Sequence, residues 1–250
     1  MNSLSVAVAD GVATLSIQRP QTSNAIDISI IRAMHLALDQ LQKGDSGARA
    51  VVITGSNDVF CSGLDLHSID LKTQQARQRA HFEMRRFMDP LILRLSGFRF
   101  PIVAAVNGAA VGAGLNLALA ADLRIVADDA RLLSGFLKIG AHPGGGHLHL
   151  LDRVASRDTI AAMAIFGEEV SGTEAVRLGL AWKALPADQV EAEAMAMAAR
   201  LADQPDLARA VTRTLRVEVP GAVSWDAAMQ IERAPQLRSF FQRSRRAGGA

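Results

Sequence analysis

The stretch Pro101-Ile102-Val103-Ala104-Ala105-Val106-Asn107-Gly108-Ala109-Ala110-Val111-Gly112-Ala113-Gly114-Leu115-Asn116-Leu117-Ala118-Leu119-Ala120-Ala121-Asp122 decides the fold. Its apolar part, from Ile102 to Ala121, has about the length of a membrane span. Asn107 and Asn116 interrupt it, glycines at 108, 112 and 114 crowd its middle, and Asp122 closes it. A buried strand over Pro101–Val106, a Gly-rich turn over Asn107–Gly114 and a helix over Leu115–Ala120 account for it better. Leu123–Ala127 then reads as a further strand.

Outward from this stretch the pattern is mixed α and β. Leu4–Ala9 and Val12–Gln18 alternate apolar and polar residues around Asp10-Gly11, which predicts a β-hairpin. Ile30, Ile31, Met34, Leu38 and Leu41 recur at helical spacing, and Ala50–Thr54 is a compact strand. Gly55–Leu66 reads as a loop. Thr73–Leu95 reads as a long helix with Phe87, Leu91 and Leu95 along one face, kinked or broken at Pro90. Gly140–Gly146 is a second Gly-rich loop feeding a helix at Leu148–Leu151. From Ser156 the chain reads as mostly helical, with a turn at Gly179, short apolar Leu180–Ala184, and good helix formers over Val190–Leu201 and Leu207–Leu215.

The chain has 250 residues, 49% of them hydrophobic, long enough for one α/β domain without a covalent staple. Its 27 basic and 25 acidic residues nearly balance, which argues against a nucleic-acid partner. The basic run Arg243, Arg245 and Arg246 sits in a Gly/Ala-ending tail and reads as solvated. The single cysteine, Cys61, excludes an intrachain disulfide and a cysteine-built zinc site, and fits a reducing compartment. The N-terminus lacks a basic segment followed by a long apolar one. A cytoplasmic protein with no membrane partner is expected. Neither Gly-rich segment matches the dinucleotide or P-loop pattern.

Three segments, in order and at characteristic spacing, resemble the crotonase (enoyl-CoA hydratase/isomerase) family. Arg19-Pro20 with Asn24-Ala25 follows the hairpin. Phe60-Cys61-Ser62-Gly63-Leu64-Asp65-Leu66 looks like the family's F-C-[AS]-G-x-D-[LI] loop. Pro101–Asn116, continued by Asp122-Leu123-Arg124-Ile125, is similar to its most diagnostic stretch. Glu174-Ala175 and Leu178–Ala181 fit the stretch that follows the second Gly-rich loop. The resemblance implies an α/β crotonase-type spiral of strand–strand–helix turns giving two roughly perpendicular sheets. It implies a spiral core with the acyl-CoA site over residues 1–195, a helical trimerisation region over 196–250, and a homotrimer or dimer of trimers. It also implies a coenzyme A thioester as substrate or ligand, with no prosthetic group and no metal. The backbone N–H groups of Leu64 and Ala113 would then face the thioester carbonyl oxygen. Two such fixed donors stabilise the negative charge that forms there, each worth ~10²–10³ in rate. Ser23, Ala25, Ser62, Gly63, Asp65, Gly112 and Phe136 are expected to line the ligand, with Gly112 and Gly114 letting the backbone come close.

The sequence departs from the family where a hydratase places two glutamates. By resemblance these fall on Asn116 and Phe136, and neither side chain can exchange a proton. Hydratase or isomerase chemistry on an enolate and non-catalytic acyl-CoA binding are therefore both open. Among substitute proton carriers, His142 in Gly140–Gly146 is the foremost candidate, with Gly144 beside it, because an imidazole titrates near neutrality. A neutral His142 with Asn116 holding a water could replace one glutamate. The plainer reading makes His142 a loop histidine bonded to backbone. His147 and His149 are expected to be structural, as are Asp65 and Cys61. Asp89, ahead of Pro90, and His67 count onto positions where some relatives carry a reactive or a phosphate-facing side chain.

Overall fold

The structure is a computed structural model, and it describes residues 3–43, 46–68, 72–201 and 204–221, with isolated residues from 224 to 239. Strands β1 (Leu4–Ala9) and β2 (Val12–Ile17) form the antiparallel hairpin, with Leu4 opposite Ile17 and Ala9 opposite Val12. Asp27 caps helix α1 (Ile28–Gln42) by accepting from the N–H groups of Ser29 and Ile30 at 2.9 and 3.0 Å. Then come β3 (Ala50–Gly55), β4 (Val59–Cys61), α2 (Gln74–Glu83) and α3 (Asp89–Ser96). A single π turn, Met84–Met88, separates α2 from α3 directly ahead of Pro90. Proline has no N–H for the helical ladder, so the break falls where its ring meets the preceding turn.

The central stretch folds as β5 (Ile102–Val106), β6 (Ala109–Val111), α4 (Ala113–Leu119) and β7 (Leu123–Ala127). The remainder is β8 (Arg131–Leu133), α5 (His147–Asp152), α6 (Arg157–Ala164), β9 (Glu169–Ser171), α7 (Gly172–Arg177), β10 (Lys183–Leu185), α8 (Ala187–Ala199) and α9 (Pro205–Arg213). Two sheets result. One has six strands in the order β1-β2-β3-β5-β7-β10, the other four in the order β4-β6-β8-β9. The chain repeatedly gives one strand to the larger sheet and the next to the smaller: β3 then β4, β5 then β6, β7 then β8. That alternation is the expected spiral. The inner strands β3 and β5 are buried along their whole length, as parallel strands covered on both faces must be. α8 packs against β3, β5 and β7.

One reading of the sequence is corrected: Gly55–Leu66 and Asn107–Gly114, expected as loop and turn, contain β4 and β6. From Ser156 the described chain is mostly helical, as expected, with the short strands β9 and β10 among its helices. The run Arg243, Arg245 and Arg246 and the end of the 196–250 region lie outside the described residues. Among those described, α9 leads into a π turn, Thr214–Glu218, whose Arg216 reaches back into the core. Arg216 donates to both carboxylate oxygens of Asp122 and to the carbonyls of Phe98 and Leu95, at 2.6 and 3.3 Å. Asp122 also accepts from the backbone N–H of Ile102 at 2.7 Å. No helix among the described residues is long and apolar enough to cross a membrane.

Candidate functional site

Strands β4 and β6 run parallel, with Val59 opposite Ala109 and Cys61 opposite Ala110. The loops that leave them at Ser62–Asp65 and Gly112–Gly114 are therefore neighbours. The approach is too tight for side chains. A Cβ on Gly114 would lie 2.2 Å from the Cys61 carbonyl oxygen. A Cβ on Gly63, at φ +99°, would lie 2.8 Å from the Val111 carbonyl oxygen and 3.7 Å from the Ala113 nitrogen. Ile26 bridges Leu64 in parallel fashion: its N–H donates to Gly63 at 2.7 Å and its carbonyl accepts from Asp65 at 2.8 Å. In such a bridge the flanking residues make the bonds, so the N–H of Leu64 points away from Ile26. Ala113 begins α4, and the N–H of a first helical residue has no partner within its own helix.

A buried clamp sets the first of these loops. Asn24, fully buried in the left-handed region, accepts from the Arg19 N–H at 2.9 Å and from the Ser56 hydroxyl at 3.1 Å. Its amide nitrogen donates to the carbonyls of Ser56 and Val59 at 2.9 and 2.7 Å. The Arg19 guanidinium joins the Ala25 carbonyl to the carboxylates of Asp27 and Asp65. Ser62 donates its N–H to the Ser23 carbonyl and its hydroxyl to the Thr22 carbonyl. Ser23, Ala25, Ser62, Gly63 and Asp65 are thereby gathered around Leu64, and the Asp65 carboxylate is engaged by Arg19.

On the other side of Ala113 lies a polar chain that is fully buried. Asn116, in the first turn of α4, donates from Nδ2 to the Gly144 carbonyl at 2.9 Å. Its Oδ1 lies 2.7 Å from His147 Nδ1, and His147 Nε2 lies 2.7 Å from Ser134 Oγ. Phe136 covers this chain, its ring centroid 4.9 Å from that of His147. The Phe136 Cζ would stand 3.9 Å from a Cβ on Gly112. The structure thus brings Asn116, Gly144 and Phe136 together beside the Gly112–Ala113 turn, but joins them to His147 and not to His142. His142 is exposed and its Nδ1 faces the neighbouring Pro143 carbonyl at 2.8 Å. His142 and Asn116 share no hydrogen-bond partner: His142 turns to the Pro143 carbonyl, while Asn116 bonds Gly144 and His147.

Burial pushes the His147 imidazole from an ordinary 6.5 down to about 4. The unfolded chain then takes up this proton at higher pH than the folded one. The group's contribution to stability is complete above about pH 6.5 and is lost as pH falls towards 4. Urea denaturation across this window is expected to show wild type losing up to about 3 kcal/mol through this group. His147→Gln, which has no proton to gain, should fall less steeply. Parallel slopes would disprove the assignment.

The comparisons with known proteins agree with this architecture. The family model described as enoyl-CoA hydratase/isomerase matches residues 7–247. The chain belongs to the enoyl-CoA hydratase/isomerase family, the crotonase superfamily. It is 34% identical over 235 residues to a Rhodobacter capsulatus protein named "Probable enoyl-CoA hydratase", covering 90% of this chain and 87% of that one. It is 32% identical over 198 residues to the 1,2-epoxyphenylacetyl-CoA isomerase of Escherichia coli K12, covering 79% and 75%. Among solved structures, an enoyl-CoA hydratase from Polaromonas sp. JS666 superposes with a TM-score of 0.85 at 27% identity, covering 94% of this chain and 90% of that one.

Within the crotonase frame, two neighbours of Asn116 carry no local mark of their partnership: Ser134, and His147, which is buried and bonded at both ring nitrogens as a structural histidine is. The available signal was spacing: His147 shares the buried face of α5 with Leu150 and Leu151, three and four residues on. A polar ring on an apolar face needs buried partners. Two other expectations stand differently. Cys61 is fully buried, and burial pushes its thiol up to about 12, so it is an inert packing residue. Asp89 opens α3, ahead of Pro90.

Proposed function

We propose that this chain binds an acyl-CoA thioester with the carbonyl oxygen between the N–H groups of Leu64 and Ala113. The observation that carries this reading is the contact of the two loops at Gly63 and Gly114, which sets those two residues side by side. An enolate or tetrahedral oxyanion there would be stabilised by both donors, with the positive end of α4 behind Ala113. Membership of the crotonase superfamily supports the acyl-CoA class. It also supports assembly as a trimer or dimer of trimers, as do the exposed Phe166 and Trp182, at 77% and 64%. Light scattering on the purified protein tests that assembly.

Ordinary hydration of an enoyl-CoA is expected to be slow. At the two glutamate positions stand an amide and a phenyl ring, and neither of these side chains can exchange a proton with water. Loss of general acid–base catalysis costs roughly 10²–10⁴ in rate. From a median turnover of ~10 s⁻¹ this predicts hydration of crotonyl-CoA below about 0.1 s⁻¹. Titration calorimetry with crotonyl-CoA, beside absorbance at the enoyl thioester band, tests both parts. Binding with slow hydration is expected. Absence of binding would overturn the site, and a turnover at or above the ~10 s⁻¹ median would overturn the account of Asn116 and Phe136.

A further inference from the structure

The hydrogen bonds around His147 have a direction, and the direction matters. Asn116 Nδ2 faces two carbonyl oxygens, Gly144 at 2.9 Å and Gly145 at 3.4 Å, and a carbonyl can only accept. The amide is therefore fixed with Oδ1 towards the imidazole. An amide oxygen can only accept, so His147 Nδ1 carries the proton. A neutral ring then has a lone pair on Nε2, and the Ser134 hydroxyl, 2.7 Å away, donates to it. The order is hydroxyl to imidazole to amide oxygen, with no alternative tautomer that satisfies all three. No buried side-chain nitrogen or oxygen among the described residues lacks a partner.

Such an order activates a nucleophile. An imidazole hydrogen-bonded to a hydroxyl on one side and oriented by a side-chain oxygen on the other is the arrangement that makes serine attack carbonyl carbon, and asparagine serves as the orienting group in some such sets. Ser134 directly follows β8, and β8 pairs with β6, so that the Leu133 carbonyl accepts from the Gly112 N–H at 3.0 Å. A Cβ on Gly112 would lie 3.5 Å from the Ser134 carbonyl oxygen. The serine thus adjoins the turn that presents Ala113, and the same helix α4 that begins at Ala113 supplies Asn116. Strands β6 and β8 with helix α4 fix the nucleophile, the orienting amide and one of the two oxyanion donors, and α5, packed against α4, carries the base. Phe136 rests on the His147 ring and holds its plane in place.

We infer that Ser134, His147 and Asn116 form a nucleophilic triad and that the chain hydrolyses a short acyl-CoA through an acyl-serine. This rests on the proposed thioester site. In the first step Ser134 Oγ attacks the thioester carbon while His147 Nε2 takes the hydroxyl proton, and the carbonyl π pair moves onto oxygen. The oxyanion lies against the N–H groups of Leu64 and Ala113. Its collapse breaks the C–S bond, and coenzyme A leaves as a thiol with the proton from the imidazolium. Water then adds to the acyl-serine, His147 taking its proton. The C–O bond to Ser134 breaks and the serine regains a proton. The net reaction is thioester plus water to carboxylic acid plus thiol, with no oxidant or second substrate. The confinement of Ser134, 2% exposed, selects small acyl groups over long chains.

The test uses the full-length protein with acetyl-CoA and crotonyl-CoA. Free thiol release is followed with a chromogenic disulfide reagent, and acid-quenched protein is weighed by intact mass spectrometry with peptide mapping. Wild type should release coenzyme A and carry an acyl group on Ser134. Ser134→Ala should bind the thioester within about twofold of wild type by calorimetry, form no adduct and lose thiol release by at least about a hundredfold. His147→Gln should behave likewise, whereas His149→Ala, on the exposed side of α5, should match wild type. Circular dichroism confirms that each variant is folded. Ser134→Cys gives a second readout, an acyl-cysteine that retains the mass gain. Wild type that binds thioester yet forms no adduct and releases no thiol overturns the triad and leaves the thioester site standing. Wild type and Ser134→Ala that both fail to bind overturn the thioester site and the triad with it.

Discussion

Arg216→Met is expected to lower the free energy of unfolding by about 3–5 kcal/mol. The Arg216 side chain is 3% exposed and meets both oxygens of Asp122, which it shields. Removing the guanidinium leaves the largely shielded Asp122 carboxylate with the Ile102 N–H as its remaining hydrogen-bond donor, and uncovers the carbonyls of Leu95 and Phe98. Loss of the partner from a carboxylate that is four-fifths shielded is what makes such a truncation severe, more than the attraction it removes. The double variant Asp122→Asn with Arg216→Met removes both charges and should recover part of the loss. Urea midpoints for the two variants and wild type check this. A single variant within about 1 kcal/mol of wild type would show that the pair contributes little.

The second large effect concerns Gly114. Gly114→Ala is expected to cost about 3 kcal/mol, at the upper end of overpacking penalties. The new methyl would collide with backbone, the Cys61 carbonyl at 2.2 Å, and with the Cys61 Cβ at 2.8 Å. Neither atom is the free end of a flexible side chain, so β4 must shift. That shift moves Leu64 away from Ala113, and crotonyl-CoA affinity should fall with stability. Gly144→Ala is the control, because a Cβ there meets nothing within 4 Å and the backbone does not require glycine. Its stability should stay within about 0.5 kcal/mol of wild type. Equal behaviour of the two variants would refute the joint between the loops.

How far the sequence revealed these features depends on what each leaves in the local pattern. The hairpin was legible nearly to the residue, since six-residue strands alternate visibly around Asp10-Gly11. The sequence β5, turn and α4 was legible because an apolar run changes from strand to helix at glycines. The strands β4, β6, β8, β9 and β10 have three residues each, too few to show a period of two. They exist because a partner strand lies alongside, and that is a property of the spiral and not of three residues. The site divides the same way. The Leu64 and Ala113 loops could be placed by motif and spacing. The chain from Ser134 through His147 to Asn116 joins residues 13 and 31 positions apart, and no local rule links them. His142 was favoured because it stands in the Gly-rich loop, yet in the fold a turn carries it to solvent while His147 faces inward with Leu150 and Leu151.

Cys61 turns the joint between the loops into something that can be timed. It is the sole thiol of the chain, it is sealed, and its β-carbon is one side of the contact with Gly114. An alkylating reagent in solution can reach that sulfur only during moments when β4 and the start of α4 part. The labelling rate of the unmodified protein is then a clock of those openings, with no introduced probe and no competing signal. An acyl-CoA that spans the two loops has to close the joint to bind, so saturating ligand should slow the clock by the same factor that it lowers the population of the parted state.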